Sequence, residues 1–206
     1  MKRHVRLLSI LLVVALAAVA AHAAEKGKLR VGAAKSDITP PMGEGIMMSG
    51  YSNRTDPAEG IFDHLFCRAI VLEDGSTSAA IVTADVTGVD DQFCAEVAGR
   101  IEAETGIPRG NVLIAAIHSH AAPRCGGQYD DPASGNAVYA RSVADAMVAT
   151  TKTAQAKLAP GLMGVGAGEA DVNTNRRARL AGGERWLGVD PAGVSDKTVH
   201  VLKFAR

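Results

Sequence analysis

The fold is decided by residues 79–120, which read AAIVTADVTGVDDQFCAEVAGRIEAETGIPRGNVLIAAIHSH. Ala79 to Thr83 and Val112 to Ile117 are short apolar runs that contain β-branched residues, which is typical of strands. Asp90 to Thr105 lies between them and carries apolar residues at helical spacing. This order predicts a βαβ unit whose two strands are parallel neighbours, buried on both faces.

Polar residues follow both of these strands. His118 and His120 come directly after the second strand, and Asp85 follows the first. In an extended chain residues i and i+2 point to the same side, which predicts imidazoles on one side with Cβ atoms roughly 7 Å apart. Open α/β sheets build their sites at the carboxyl ends of strands, so this edge is the candidate site. Paired imidazoles there indicate a metal site or acid–base chemistry.

The histidine pair does not by itself complete a catalytic zinc site, which needs three protein ligands and a water. A metallo-β-lactamase site requires an aspartate where this chain has Ala122, and the sequence contains no HExxH, G-x-S-x-G or P-loop motif. The other histidines are isolated and are interpreted as structural or surface residues: His4, His22, His64 and His200.

The rest of the pattern predicts an α/β fold with a mixed, partly parallel sheet flanked by helices in a single domain. The turn Glu73 to Ser76 joins two apolar runs into a hairpin. The further predicted elements are strands at Leu29 to Ala33, Phe66 to Leu72, Leu162 to Gly166 and Thr198 to Phe204, and a helix at Ala137 to Leu158.

The first 23 residues predict a signal peptide. A basic start precedes the apolar run Leu7 to Ala21, and Ala21-His22-Ala23 fits a cleavage site. The run is shorter than the roughly 20 residues that span a bilayer, which disfavours the alternative of a membrane anchor. We therefore expect a secreted or periplasmic protein that begins near Ala24.

Composition is ordinary for a globular protein, with 47% hydrophobic and 21% charged residues among 206. Removal of the three basic residues of the signal peptide leaves 19 Lys+Arg against 22 Asp+Glu. This slightly acidic balance lacks the excess of basic residues that is typical of nucleic-acid-binding proteins. The chain has three cysteines, an odd number without CxxC spacing, so two or three of them are interpreted as small buried residues, with the oxidation of one pair left open: Cys67, Cys94 and Cys125.

The ordered motifs of residues 29–206 resemble the N-terminal catalytic domain of the neutral/alkaline non-lysosomal ceramidases. The motifs are Val31 to Pro41, Ser49 to Tyr51, Gly60 to Asp63, Arg68 to Leu72, Thr83 to Asp85, Ile114 to His120 and Asn175 to Arg177. The resemblance implies a zinc-dependent amidase that hydrolyses the N-acyl bond of ceramide-like lipids to a fatty acid and a sphingoid base. It also implies contact with a lipid substrate and peripheral contact with membranes.

The resemblance also implies roles for single residues. His118 is the expected zinc ligand, and His120 is expected to assist proton transfer. Arg176 is expected to orient the amide or a substrate hydroxyl, beside Asn175, and Tyr51 is expected to line the pocket. Two carboxylates are candidates for orienting a histidine ring: Asp85, for which a capping or turn role is an equal alternative, and Asp63, for which the plain structural role is preferred.

Two departures from the family limit these expectations. The family continues its His-x-His motif with Ser-Gly-Pro, whereas this chain has Ala121-Ala122-Pro123. The family's remaining zinc ligands lie beyond the position of Arg206, so we expect an incomplete domain that is inactive by itself. The alternatives are a non-catalytic exported remnant or binding module on the same scaffold, and an unrelated metal-dependent hydrolase that uses His118, His120 and Asp85.

Overall fold

The computed structural model describes residues 29–51, 53–54, 56–126 and 131–205. It divides into two compact units, the first ending at Gly161 and the second spanning Leu162–Arg206. The predicted signal peptide lies outside the described residues. Among the described helices, none has the length and apolar character needed to cross a membrane.

The first unit is built on a five-stranded sheet with the order β4-β3-β2-β1-β5. All neighbours are antiparallel except β3 and β4, which are parallel as the βαβ pattern predicts. The predicted hairpin is present between β2 and β3. The strands are β1 (Leu29–Asp37), β2 (Phe66–Asp74), β3 (Ser78–Ala84), β4 (Val112–Ala116) and β5 (Ala159–Pro160).

Two helices pack on this sheet. α1 (Asp91–Thr105) begins at the cap residue Asp90, whose carboxylate accepts a hydrogen bond from the Phe93 amide. It ends at Gly106, whose φ of 75° is the left-handed conformation that favours glycine at this position. α2 (Gly135–Ala156) covers β1 and β2. Both helices occupy the predicted positions to within about two residues, the usual uncertainty of helix ends.

The core lies on one face of the sheet. Alternate side chains of the central strands, such as Val71 and Val82, are fully buried and pack in the same cluster as Ile101 of α1 and Met147 of α2. The prediction that β3 and β4 are buried on both faces is wrong for the described residues. β4 is the edge strand of this sheet and Leu113 is 59% exposed, because both helices pack on the opposite face.

The cysteines are free thiols in the structure. Cys67 and Cys125 are buried, as predicted, whereas Cys94 is half-buried. Burial raises the pKa of the Cys125 thiol to about 12, because the thiolate would lose its hydration. This thiol is therefore neutral and unreactive at physiological pH.

The second unit consists of two separate antiparallel pairs. β6 (Leu162–Glu169) pairs with β9 (Thr198–Ala205), and both strands were expected from the sequence. β7 (Asn175–Arg179) pairs with β8 (Arg185–Asp190), and these strands were missed. Three of the five β7 residues are arginines, so the strand lacks the alternation of apolar and polar residues by which strands are recognised. With the first unit, these pairs confirm a mixed α/β fold.

Candidate active site at the ends of the parallel strands

The histidine pair lies in a turn that follows β4. The strand ends at Ala116, and the turn runs alongside the segment after β3, where the Ile117 amide donates to the Ala84 carbonyl. The Ser119 amide likewise donates to the Val86 carbonyl. His118 has a φ of 65°, the only positive φ of a non-glycine residue in the described ranges. The pair is therefore brought together by a turn and not, as predicted, by an extended strand.

The backbone carbonyl of Thr87 orients the ring of His118. Its oxygen lies 2.7 Å from Nδ1 of His118. A carbonyl oxygen can only accept a hydrogen bond, so Nδ1 carries a proton, and in the neutral imidazole Nε2 then keeps its lone pair. This is the tautomer that a histidine needs in order to bind a metal through Nε2.

Nε2 of His120 lies 3.2 Å from Nε2 of His118. The ring centroids are 4.8 Å apart with an angle of 77° between the planes. Two nitrogens bound to one tetrahedral zinc at about 2.0–2.1 Å would be ~3.3 Å apart, so the observed spacing fits two imidazoles that converge on one point. Among the described residues, no group of three or more His, Cys, Asp or Glu side chains has a metal-binding arrangement.

Asp85 does not orient either histidine. Its carboxylate lies 2.6 Å from the Arg68 guanidinium and accepts a hydrogen bond from the Phe66 amide at 3.0 Å. It therefore joins β3 to β2 at the site edge of the sheet, which is neither of the roles weighed for it. Asp63 is exposed, and its neighbour His64 forms an ion pair with Asp37 at 2.8 Å.

Residues 49–51 lie against the turn that carries His120. The ring of Tyr51 meets the His120 ring edge to face, with centroids 4.9 Å apart. Gly50 has a φ of 104°, and a Cβ added there would lie 2.5 Å from Cγ of His120. Tyr51 thus contacts the His120 ring, and Gly50 leaves the space that the imidazole occupies.

Arg54 is a site residue that the sequence analysis missed. Its Nη1 donates to the carbonyls of His120 at 2.7 Å and Ser49 at 3.0 Å. Its guanidinium carbon also lies 5.2 Å from the centroid of the Tyr51 ring, within the range of a cation–π contact. No pattern in the sequence singles out this arginine, because its partner His120 is 66 residues away.

Asn175 and Arg176 belong to the second unit, on β7. The Asn175 side-chain amide donates to the Val194 carbonyl at 2.9 Å, and its oxygen accepts from the Arg177 amide at 2.9 Å. Arg176 is exposed. The structure thus brings together His118, His120 and Tyr51, whereas Asn175 has a local structural role and Arg176 lies on the separate unit.

Replacement of Gly50 by alanine is expected to displace the His120 ring. The new Cβ would overlap the imidazole, and the positive φ would be strained by about 1–3 kcal/mol. The measurements are the melting temperature and the ¹H–¹⁵N shifts of the His120 side chain. Gly43→Ala is the matched control, because Gly43 also has a positive φ of 85° but nothing lies within 4 Å of its added Cβ. Equal shifts of the His120 signals in both variants would contradict this account of Gly50.

Comparison with known proteins assigns the same chain region to one family. The N-terminal model of the neutral/alkaline non-lysosomal ceramidases matches residues 29–185. A neutral ceramidase of Pseudomonas aeruginosa is 30% identical over 166 residues, which cover 73% of this chain and 23% of that protein. A neutral ceramidase of Drosophila melanogaster is 36% identical over 97 residues, which cover 46% of this chain and 14% of that protein. The chain thus spans less than a quarter of these relatives.

Solved structures give the same result for the fold. A structure described as ceramidase complexed with C2 superposes with a TM-score of 0.63 at 28% identity, covering 85% of this chain and 28% of that one. The crystal structure of neutral ceramidase from Pseudomonas aeruginosa superposes with a TM-score of 0.60 at 29% identity, covering 85% and 29%. The mixed sheet and its helices are therefore similar to part of these larger proteins.

Proposed function

The chain belongs to the neutral/alkaline non-lysosomal ceramidase family, and we propose that it carries part of a zinc-dependent amidase site centred on His118 and His120. The reaction we propose is hydrolysis of the N-acyl bond of ceramide-like lipids to a fatty acid and a sphingoid base. The observation that carries the proposal is the convergence of two Nε2 atoms at 3.2 Å, with His118 held in the tautomer that leaves its Nε2 unprotonated.

The side chains at this site are of a type that suits zinc, because imidazole nitrogens are common ligands of this metal. Zinc, when bound, polarises a carbonyl oxygen and lowers the pKa of water. His118 would hold the ion through Nε2. A catalytic zinc has three protein ligands, and His118 is the one ligand that we propose among the described residues, so we propose that this chain alone binds zinc weakly and does not turn over substrate.

His120 is the proposed proton carrier. His120 is half-buried and its Nε2 lies 3.2 Å from Nε2 of the proposed zinc ligand, so we propose that it takes a proton from the attacking water and returns it to the leaving amine. Arg54 holds the backbone of His120 through its carbonyl, and Tyr51 contacts its ring. Such support matters because proton transfer requires a fixed geometry.

The roles of Arg176 and Asn175 rest on the family resemblance. The planar guanidinium of Arg176 is exposed and is suited to orient an amide oxygen or a hydroxyl through paired hydrogen bonds. Asn175 would act mainly by holding the backbone around Arg176, since both ends of its amide are used locally.

We also propose that the protein is exported and meets its lipid substrate at a membrane surface. The signal-peptide pattern of residues 1–23 supports export to the periplasm or the medium. The loop before β2 supports contact with lipid, because Phe62 is fully exposed and Ile61 is 48% exposed. Apolar side chains of this kind can enter the interface of a bilayer.

A chimeric enzyme tests the proposed activity. Residues 29–185 of this chain replace the matching segment of the Pseudomonas aeruginosa neutral ceramidase, and the release of fatty acid from a fluorescent ceramide is measured. We expect the chimera to hydrolyse ceramide and the 206-residue chain alone to be inactive. A folded, zinc-loaded chimera without amidase activity would refute the proposal and favour the non-catalytic binding module.

A further inference from the structure

Thr87 joins the end of β3 to the turn that carries both histidines. Its hydroxyl lies 2.8 Å from the Ser119 carbonyl and 2.7 Å from the Ala122 carbonyl, so its single proton is shared between two acceptors. Its amide donates to the Pro123 carbonyl at 3.0 Å. Thr87 is only 7% exposed, so water cannot readily replace the hydroxyl.

The same residue also orients the His118 ring through its own carbonyl. The turn 118–123 is therefore bound to Thr87 by its hydroxyl, its amide and its carbonyl. His118 adopts a φ that L-residues rarely take, and such conformations persist only where surrounding contacts determine them. Thr87 contacts Ser119, the residue after His118, and Ala122, two residues after His120, so these contacts can fix the backbone of the turn.

We propose that Thr87 is a positioning residue that holds His118 in its left-handed conformation and in the Nδ1-protonated tautomer. The hydroxyl fixes the turn, and the fixed turn places Nδ1 of His118 against the Thr87 carbonyl. Nε2 is thereby kept unprotonated and directed at Nε2 of His120. The effect on zinc rests on the proposed function, whereas the effect on the tautomer does not require a metal.

The test compares three variants of the full 206-residue chain. Thr87→Val keeps the shape and removes the hydroxyl, and Thr87→Ser keeps the hydroxyl. Thr151→Val is the matched control, because the Thr151 hydroxyl is fully buried and donates to the Met147 carbonyl at 2.8 Å within α2, away from the turn. The tautomer of His118 is read from long-range ¹H–¹⁵N spectra without metal, and zinc affinity from competition with a chromophoric chelator.

We expect Thr87→Val to give a mixture of His118 tautomers and to weaken zinc binding about 10- to 100-fold, the range for partners of metal ligands. Thr87→Ser should retain both properties, and Thr151→Val should lose stability while retaining both. The inference is overturned if Thr87→Val keeps the wild-type tautomer, or if wild-type His118 is not protonated at Nδ1, a measurement that does not depend on the folding of any variant. A wild-type chain that has the expected tautomer but binds no zinc would limit the effect of Thr87 to the tautomer and leave that role intact, and the zinc site itself is tested in the chimeric enzyme.

Discussion

His118→Ala in the chimeric enzyme is expected to abolish zinc retention and amidase activity together. The substitution removes Nε2, which we propose as the ligand that this chain contributes, and a catalytic zinc has few protein ligands to spare. Zinc content after gel filtration and ceramide hydrolysis should both fall to background. The fold should remain, because the His118 side chain is exposed and contributes nothing to the core cluster.

His64→Ala is the matched control for this experiment. His64 is also an exposed imidazole near the same edge of the sheet, where it pairs with Asp37. Its loss should leave both zinc content and activity at the level of the parent chimera. An active, zinc-loaded His118→Ala chimera would remove His118 from the metal site.

His120→Ala is expected to lower kcat by about 10²- to 10⁴-fold, the usual contribution of a general acid–base group. Zinc should remain largely bound, because His120 is proposed to move protons beside the metal site. The measurements are kcat for ceramide hydrolysis and the zinc-to-protein ratio of the same sample. The two histidine variants are thus distinguished by zinc content, although both lose activity.

The zinc content of the His120→Ala chimera distinguishes two hypotheses for His120, a zinc ligand or a proton carrier. The Nε2 spacing of 3.2 Å also fits two imidazoles bound to one ion. If zinc is lost from His120→Ala as completely as from His118→Ala, His120 is a ligand and its proposed role as proton carrier is wrong. If kcat is unchanged and zinc is retained, His120 has no part in the reaction.

Local sequence patterns predicted the central part of the first unit. The apolar runs on either side of Asp90 to Thr105, together with the helical spacing of apolar residues within it, are enough to specify strand, helix and strand. The parallel pairing of β3 with β4 follows because the helix must cross over between them. The position of the two histidines at the end of the second strand follows from the same pattern.

The sequence patterns failed where distant contacts decide the structure. β7 was missed because its three arginines hide the strand period, and β8 was missed because Trp186, Leu187 and Val189 do not alternate regularly with polar residues. The burial of β4 on both faces was wrong because periodicity shows which residues are apolar but not which face a helix covers. Asp85 was considered as a partner of a histidine, whereas an arginine on the neighbouring strand binds it.

The sequence alone was enough to predict the α/β class, the βαβ unit, the family resemblance and the histidine pair His118 and His120. Each of these depends on residues close together in the chain or on motifs in a fixed order. Only the tertiary structure decided how the pair is held. The Thr87 carbonyl that sets the His118 tautomer is 31 residues away, and Arg54 is 66 residues from His120. Hydrogen bonds between such distant residues arise from the packing of whole elements, which no local pattern of residues encodes.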